Sequence, residues 1–320
     1  MANIKDVAQM AGVSVATVSR VLNHHPYVSE DKKAAVLRAM EQANYNRNIN
    51  AVHLSKGQTN LIGVVVPFSN HPYFGLLIEG IANEALRQNY KLVLFQTNYE
   101  TDRELEALAM LKDKQIDALI ICSRISPWHL IEEYLSYGPI VVCENTRGTN
   151  VSSTFVDHYG SFFQALEYLH SKGYRKIGYC LGREMGANSD LRRTAYQDFL
   201  KKYKLAFNPN FVFYNCFNFE DGEHVLNRIT EMESPPAALL ISSDQVAAGI
   251  LTCCKERDMA VPDQLALLGF DNQPIAKIMN ITTLEIPLVE IGRKLFAQAI
   301  EEGISSQEEI AVKLIERQTV

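Results

Sequence analysis

Arg20 stands in a short segment, VATVSRVLN, where Val18, Val21 and Leu22 recur at helical spacing and mark an apolar stripe. The opposite face carries Val15, Ala16, Thr17, Ser19, Arg20 and Asn23, with no acid among them. A guanidinium can fork onto guanine O6 and N7, small apolar groups can meet a thymine methyl, and hydroxyls and amides reach phosphates. This face therefore suits the DNA major groove. His24 and His25 follow it as candidates for phosphate contact, and Tyr27 is counted with the DNA-binding set. A second set of chemistry-bearing residues is dispersed: Tyr73, Phe74, Glu144, Arg192, Phe217, Ser243 and Asp271 fall where apolar runs end or helices begin. Arg192 and Asp271 can bracket vicinal hydroxyls, a planar donor fork against a two-oxygen acceptor, while Phe74 and Phe217 stack on an apolar ring face. Such a site suits a sugar. A purine or a phosphosugar would use the same groups, and an Arg/Asp pair also serves as a plain salt bridge.

The elements that must carry these residues are legible from caps and periodicity. Asn3 caps a first helix over 4–11, with Asp6 in its first turn, and Gly12 ends it. Ser14 caps the second helix, which makes a helix-turn-helix. A third helix starts at Ser29, carries Glu30 and Asp31 in its first turn and runs to about residue 43, with Val36, Leu37 and Met40 facing inward. The connector 44–60, NYNRNINAVHLSKGQTN, is polar, and Asn48 can cap two helical turns through Leu54. Two turns are not stable alone in water. One reading is a hinge ordered by a two-fold partner and the DNA minor groove, with Leu54 as an apolar wedge at a base step; the other is a plain flexible linker.

From Leu61 onward apolar runs alternate with amphipathic helices: LIGVVVP, a helix over 73–89, KLVLFQT, 102–114, DALIICS, 127–136 and PIVVCE. The series starts again with TFV, then 158–172, RKIGYCLG, 189–203, FVFY, 219–231, AALLIS, 244–257 and LALLGF. This pattern predicts two doubly wound parallel-sheet α/β lobes, with ligand bound beyond the carboxyl ends of the strands in one cleft between them. The expected division is a helix-turn-helix domain over 1–46, a hinge and linker over 47–60 and a two-lobed body over 61–320. The lobe boundary is expected near 157–162 and the return crossovers near 288–292.

Composition bounds the function. The chain has 320 residues, 47% of them hydrophobic and 21% charged, which is the balance of a folded globular protein. Before residue 58 there are seven Lys/Arg against four Asp/Glu, so the head is net +3 and, with −6 for the whole chain, the body is −9. A basic head on an acidic body fits a nucleic-acid reader joined to a regulatory domain. No apolar run approaches the ~20 residues of a membrane span. Asp6 and Gln9 interrupt the place of an export signal's apolar stretch, so the cytoplasm is the expected compartment. Cys122, Cys143, Cys180, Cys216, Cys253 and Cys254 show no metal spacing, and neither disulfide nor zinc is expected. Nucleotide-loop, HExxH and paired Cys/His signatures are absent. Gly12-Val13-Ser14-Val15-Ala16 follows a helix rather than a strand and ends in Ala, unlike a nucleophile elbow. No cofactor is expected. An α/β enzyme would need one of those fingerprints, and a solute-binding transport protein would need an export signal and no reading head.

IKDVAQMAGVSVATVSRVLN, followed by YVSEDKKAAVLRAMEQANYNRN, closely resembles the LacI/GalR family of bacterial transcription repressors. The body matches by pattern at IGVVVP, NHPYF, GYRKIGYCLG, SSDQVAAG, LLGFDN and TTLEIP. The resemblance implies a periplasmic-binding-protein type of body and base contacts by Val15, Ala16 and Arg20. It also makes Leu54 a minor-groove lever with Ala51 beside it, and puts the effector cleft at Tyr73, Phe74, Glu144, Arg192, Phe217, Ser243 and Asp271. Two departures stand out. Arg47 replaces the proline usual before the hinge helix, and Ser243 and Glu144 stand where several sugar-binding relatives have an amide or Asp. The chain ends after KLIERQTV without a heptad segment, so a homodimer on a two-fold operator is expected, with a small effector, inducing or corepressing, or a partner protein as the controlling input.

Overall fold

The computed structural model describes residues 2–45, 57–146, 148–301, 303 and 305–320, so Arg47, Asn48, Ala51 and Leu54 lie outside the described residues. Two units are present, Met1–Thr59 and Asn60–Val320. In the first, α1 (Ile4–Met10), α2 (Val15–Leu22) and α3 (Glu30–Gln42) enclose a small core of Val7, Ala8, Val18, Val21, Val36 and Ala39. Asn3 and Asp6 form a reciprocal capping box on α1, and Gly12 turns the chain at φ 65°. Ser14 accepts from the Thr17 backbone N–H at 3.2 Å. Leu37, expected to face inward, is 51% exposed. The buried stripe of α3 runs through Val36 and Ala39, and Leu37 lies a hundred degrees around the helix from Val36. Ser29 takes the cap position without a side-chain cap hydrogen bond.

The second unit holds two six-stranded sheets. Its first lobe runs β1 (Leu61–Val66), α4 (Pro72–Arg87), β2 (Lys91–Gln96), α5 (Thr101–Lys112), β3 (Ala118–Ile121), α6 (Trp128–Glu132), β4 (Ile140–Val142) and β5 (Ser152–Val156). The second runs α7 (His158–Ser171), β6 (Ile177–Cys180), α8 (Ala187–Tyr203), β7 (Val212–Phe213), α9 (Asp221–Thr230), β8 (Ala238–Ile241), α10 (Asp244–Glu256), β9 (Ala266–Asp271), α11 (Pro274–Ile278) and β10 (Thr282–Glu285). The chain then returns as α12 (Leu288–Ile300) and β11 (Gln307–Ile310) in the first lobe and closes with β12 (Lys313–Ile315) in the second.

The first sheet is ordered β11-β5-β4-β3-β1-β2 and is parallel throughout; the second is ordered β12-β10-β9-β8-β6-β7, with only β12 antiparallel. The TFV strand, expected to open the second series, is instead part of β5 in the first sheet, beside β4. An apolar run identifies a buried strand but not the sheet that will pair with it. Both faces of each sheet are covered. Ile62, Val64 and Val66 of β1 face the layer containing α4 and α12, while Val65 faces the layer containing α5. Alternation therefore survives inside a continuously apolar strand. Helices α4 and α12 approach closely through Gly80 and Gly292, where an added Cβ would lie 2.0 Å from the Val289 carbonyl oxygen and 2.1 Å from that of Leu77.

In both sheets the strand order reverses beside the first strand, between β1 and β3 and between β6 and β8. These reversals open crevices at the carboxyl ends of the strands. The segments that leave there, with Ser123, Gly182-Arg183 and Ser242-Ser243, all border one cavity.

Candidate DNA-reading head and ligand cleft

On α2 the buried residues are Val18 and Val21, and the residues anticipated on the outer face are turned outward to different extents. Val15, Ala16, Arg20 and Asn23 are exposed; Thr17 and Ser19 are half-buried. The Thr17 hydroxyl lies 3.0 Å from that of Ser14 and so belongs partly to the helix cap. Asn23 donates to Ser19 at 3.5 Å. Tyr27 is 86% exposed, and its ring lies 5.6 Å from that of His25. Arg20, in the last turn, is placed where a cation complements the helix dipole while its side chain faces solvent.

The cavity in the second unit has a volume of about 110 Å³, on the scale of the roughly 150 Å³ hole that accepts benzene in another protein. Six of the seven anticipated ligand residues line it: Tyr73, Phe74, Arg192, Phe217, Ser243 and Asp271. Glu144 does not. Its carboxylate is taken by Arg124, which stacks over Trp128 at 4.1 Å, and burial raises its pKa despite that partner. Sequence reading missed further lining residues: His71, Tyr99, Ser123, His158, Arg183 and Asn188. Proximity to a strand end was the available signal, since Ser123 and Arg183 each follow one closely.

Each lining group is fixed by its element. The His71 ring caps α4 by accepting from the Tyr73 N–H at 3.2 Å, which seats Tyr73 and Phe74 at the cleft; their rings meet edge-on at 5.0 Å. Burial lowers the His71 pKa, although a hydrogen bond to the Phe217 backbone opposes this from the other lobe. The lobes meet again where Phe68 packs edge-on against Phe217 at 5.6 Å and where Arg183 lies over the Tyr99 ring at 4.1 Å. Phe217 is seated on Gly182, where a Cβ would come within 2.7 Å of its ring. Its backbone N–H donates to Asp221 at 2.7 Å.

The floor of the second lobe is electrostatically uneven. Arg192 donates through Nη2 to His158 Nδ1 at 3.2 Å, so that ring nitrogen is an acceptor. Burial, then the Arg192 charge, holds the His158 pKa well below its ordinary value. The Arg192 Nε is shut off from solvent with no hydrogen-bond partner among the described residues, as is the Ser243 hydroxyl. Burial pushes the Asp271 carboxyl up to about 7, against the pull of Arg192 and of the Gln273 amide that donates to it at 3.0 Å. Asp271 sits at φ 98°, a strained conformation for a residue with a side chain. Behind it, buried Asp244 accepts from the Gln273 N–H and the Thr283 hydroxyl, both at 2.7 Å, and anchors this turn. Burial raises the Asp244 pKa well above the usual carboxylate range, and the Asp271 charge adds to the shift. Gly269 leaves room for the Asp244 carboxylate, since a Cβ there would meet its oxygen at 2.1 Å.

Among the described residues no group of three or more His, Cys, Asp or Glu could hold a metal ion, and no helix is long and apolar enough to cross a membrane. The six cysteines are free thiols. The cleft offers hydrogen-bond donors, an aromatic wall and one strained carboxyl, an arrangement for binding a small polar molecule.

Comparison with known proteins agrees with this two-part organisation. Residues 3–48 match the bacterial regulatory proteins of the lacI family, and residues 166–320 match the periplasmic binding protein-like domain. The chain is 43% identical over 324 residues to the uncharacterized HTH-type transcriptional regulator YkvZ of Bacillus subtilis (strain 168), covering 100% of both chains. It is 36% identical over 304 residues to the NTD biosynthesis operon regulator NtdR of the same strain, covering 94% of this chain and 92% of the relative. A LacI family transcriptional regulator from Lactobacillus casei with bound sucrose superposes with a TM-score of 0.75 at 25% identity, covering 81% of this chain and 99% of that structure. With a reading head and a two-lobed body matched along the whole chain, the protein belongs to the LacI family of bacterial DNA-binding transcriptional regulators and is not an enzyme.

Proposed function

We propose that the protein is a cytoplasmic repressor that binds a pseudo-palindromic operator as a homodimer and is controlled by a small polyhydroxylated ligand in the cleft between its lobes. The observation that carries this reading is the acid-free outer face of α2, where Arg20, Asn23, Val15 and Ala16 are exposed above a stripe buried through Val18 and Val21. Arg20 reads guanine, Val15 and Ala16 meet a thymine methyl, and Thr17, Ser19, Asn23 and Tyr27 approach the backbone. Asn48, Ala51 and Leu54 form the hinge that enters the minor groove, with Arg47 as an added phosphate contact. Two heads placed about one helical turn apart fit a two-fold site. The sucrose bound by the Lactobacillus casei regulator supports a carbohydrate-like effector for the cleft.

Ligand and operator are coupled reciprocally through lobe closure: whatever factor one applies to the affinity of the other is returned. Operator selection from random DNA with the full chain, followed by titration of wild-type and Arg20→Ala proteins, tests the reading. Arg20→Ala is expected to lose about 1–3 kcal/mol of discrimination against changed guanines while retaining salt-dependent non-specific affinity. A selected site that the variant binds as well as the wild type would refute the assignment of α2. Sedimentation of the operator complex with one chain per site would refute the dimer.

A further inference from the structure

The charges lining the cleft do not balance. Among the described residues Arg183 and Arg192 both border it and Asp271 is the one acid that does; Glu144 pairs with Arg124 outside the lining, although the Arg183 charge also acts on it. Arg192 lies within reach of the charges of Asp271 and of Arg183, and among the described residues its buried Nε–H has no acceptor. Two like charges gathered beside a small cavity, with a donor left over, describe a place for a negative group.

The helix starts of the second lobe point the same way. Gly186 stands at the N-cap of the seventeen-residue α8 and gives no side-chain cap, and Asn188 and Ser189 of its first turn line the cavity. At the start of α10, Ser243 occupies the N-cap without capping, its hydroxyl buried and unpartnered. The positive ends of two helices therefore border the same space as the two arginines. His158 completes the set. Because its Nδ1 accepts from Arg192 and its environment keeps it neutral, its Nε2 carries a hydrogen, which makes it a donor as well.

From this arrangement we infer that the effector is a monosaccharide-sized anionic polyol, a sugar acid or sugar phosphate, whose negative group is clamped by Arg183 and Arg192 at the start of α8. Its hydroxyls face Asp271 and Ser243, and its apolar ring face lies on Phe217. Arg183 is the specificity-determining residue. It arises from the second lobe, lies over Tyr99 of the first, and is held in its loop by the Ser189 hydroxyl, which donates to the Arg183 carbonyl at 2.9 Å. Gly186 beside it sits at φ 128°, a backbone conformation that favours glycine, and a Cβ there would crowd the Arg183 Nη at 2.8 Å. Both arginines of the clamp belong to the second lobe, Arg183 also touches Tyr99 of the first, and an anion between the two guanidinium groups offsets their repulsion.

This inference rests on the reading of the cleft as an effector site, and its test separates the two. The full chain is titrated calorimetrically, and melted, with glucuronate, glucose 6-phosphate, glucose and glucosamine, ring-matched probes of different charge, and with inorganic phosphate at matched ionic strength. Glucuronate or glucose 6-phosphate is expected to bind roughly tenfold to a hundredfold more tightly than glucose, the range of a charge-assisted hydrogen bond. Preference between those two identifies a carboxylate or a phosphate. Arg183→Gln is expected to bring the anionic probe to the level of glucose without lowering the melting temperature of the free protein. Glucose or glucosamine binding as tightly as the charged probes, or a preference that survives Arg183→Gln, would overturn the charge inference and leave the effector reading standing. If no probe, phosphate included, binds or shifts the melting temperature, both fall together.

Discussion

Helix α4 contains two glycines whose replacement by alanine is expected to act in opposite directions. At Gly80 an added Cβ would lie 2.0 Å from the Val289 carbonyl oxygen, 2.9 Å from its carbon and 3.0 Å from the Arg293 nitrogen, well short of the 3.4 Å of an ordinary contact. Those atoms are backbone of α12 and cannot rotate away, so the two helices must part. Overpacking costs about 1–3 kcal/mol, and the rigid neighbour places Gly80→Ala at the upper end. Removing a glycine from a helix interior returns about 1 kcal/mol, leaving a net loss of about 2 kcal/mol. For a unit of this size that is a melting temperature lower by about 4–8 °C. Gly75 is exposed, with nothing within 4 Å of the same added atom, so Gly75→Ala keeps only the helical gain of about 0.5–1 kcal/mol and melts higher. Gly292→Ala repeats the clash from the other side, at 2.1 Å from the Leu77 carbonyl oxygen. Since one separation relieves both contacts, the double variant should lose less than the sum of the two. Calorimetric melts of the full chain at one protein concentration measure all four variants. Gly80→Ala melting at or above the wild type, or shifting with the same sign as Gly75→Ala, would refute the close-approach account.

Other expectations follow from single contacts. Gly182→Ala pushes the Phe217 ring off its seat, where the Cβ would approach to 2.7 Å; calorimetric affinity for the effector should fall severalfold while the fold survives, and unchanged affinity would show that the ring has room to give. Asp271, raised to about 7 from an unfolded carboxyl near 4, binds its proton more tightly when folded, so its contribution to stability is full below pH 4 and is lost as pH rises to about 7. Asp271→Asn should therefore stabilise more at pH 8 than at pH 5, and a pH-independent difference in melting temperature would count against the shift. Ser14→Ala removes the cap of the reading helix and should cost the head about 1 kcal/mol, read as faster amide exchange in α2; protection equal to wild type would deny the cap a role.

Strand and helix alternation was legible because strands buried on both faces leave continuous apolar runs, as in LIGVVV and ALLGFD. The last part of the chain was harder. QEEI of β11 and KLI of β12 are half-exposed sheet-edge strands without such a run, and their places in separate sheets depend on partners more than 100 residues distant in the case of β11. In the cleft, Tyr73, Phe74, Arg192, Phe217, Ser243 and Asp271 were found because strand ends and helix starts predict where ligands sit. Arg183 and Tyr99 were not, since their contact joins the two lobes, nor was His158, whose partner Arg192 lies 34 residues away on another helix; no local periodicity records either contact. Glu144 shows the converse limit: it follows strand β4 as expected, but Arg124 claims it.

The return of the chain to the first lobe at α12 and β11 also bears on how the protein is made. The strands β1 to β5 leave the ribosome first, but the sheet they form lacks its edge strand, and α4 its packing partner, until roughly 150 further residues have been added, on the order of 10 s of synthesis. During that interval Leu77, Ile81 and the Gly80 seam have no α12 to cover them. The second lobe likewise waits for β12. The segments that complete both lobes of a nascent chain therefore all fall within residues 288–315, and a product stopped before residue 300 would present two unfinished sheets to the cell's proteases and chaperones at once.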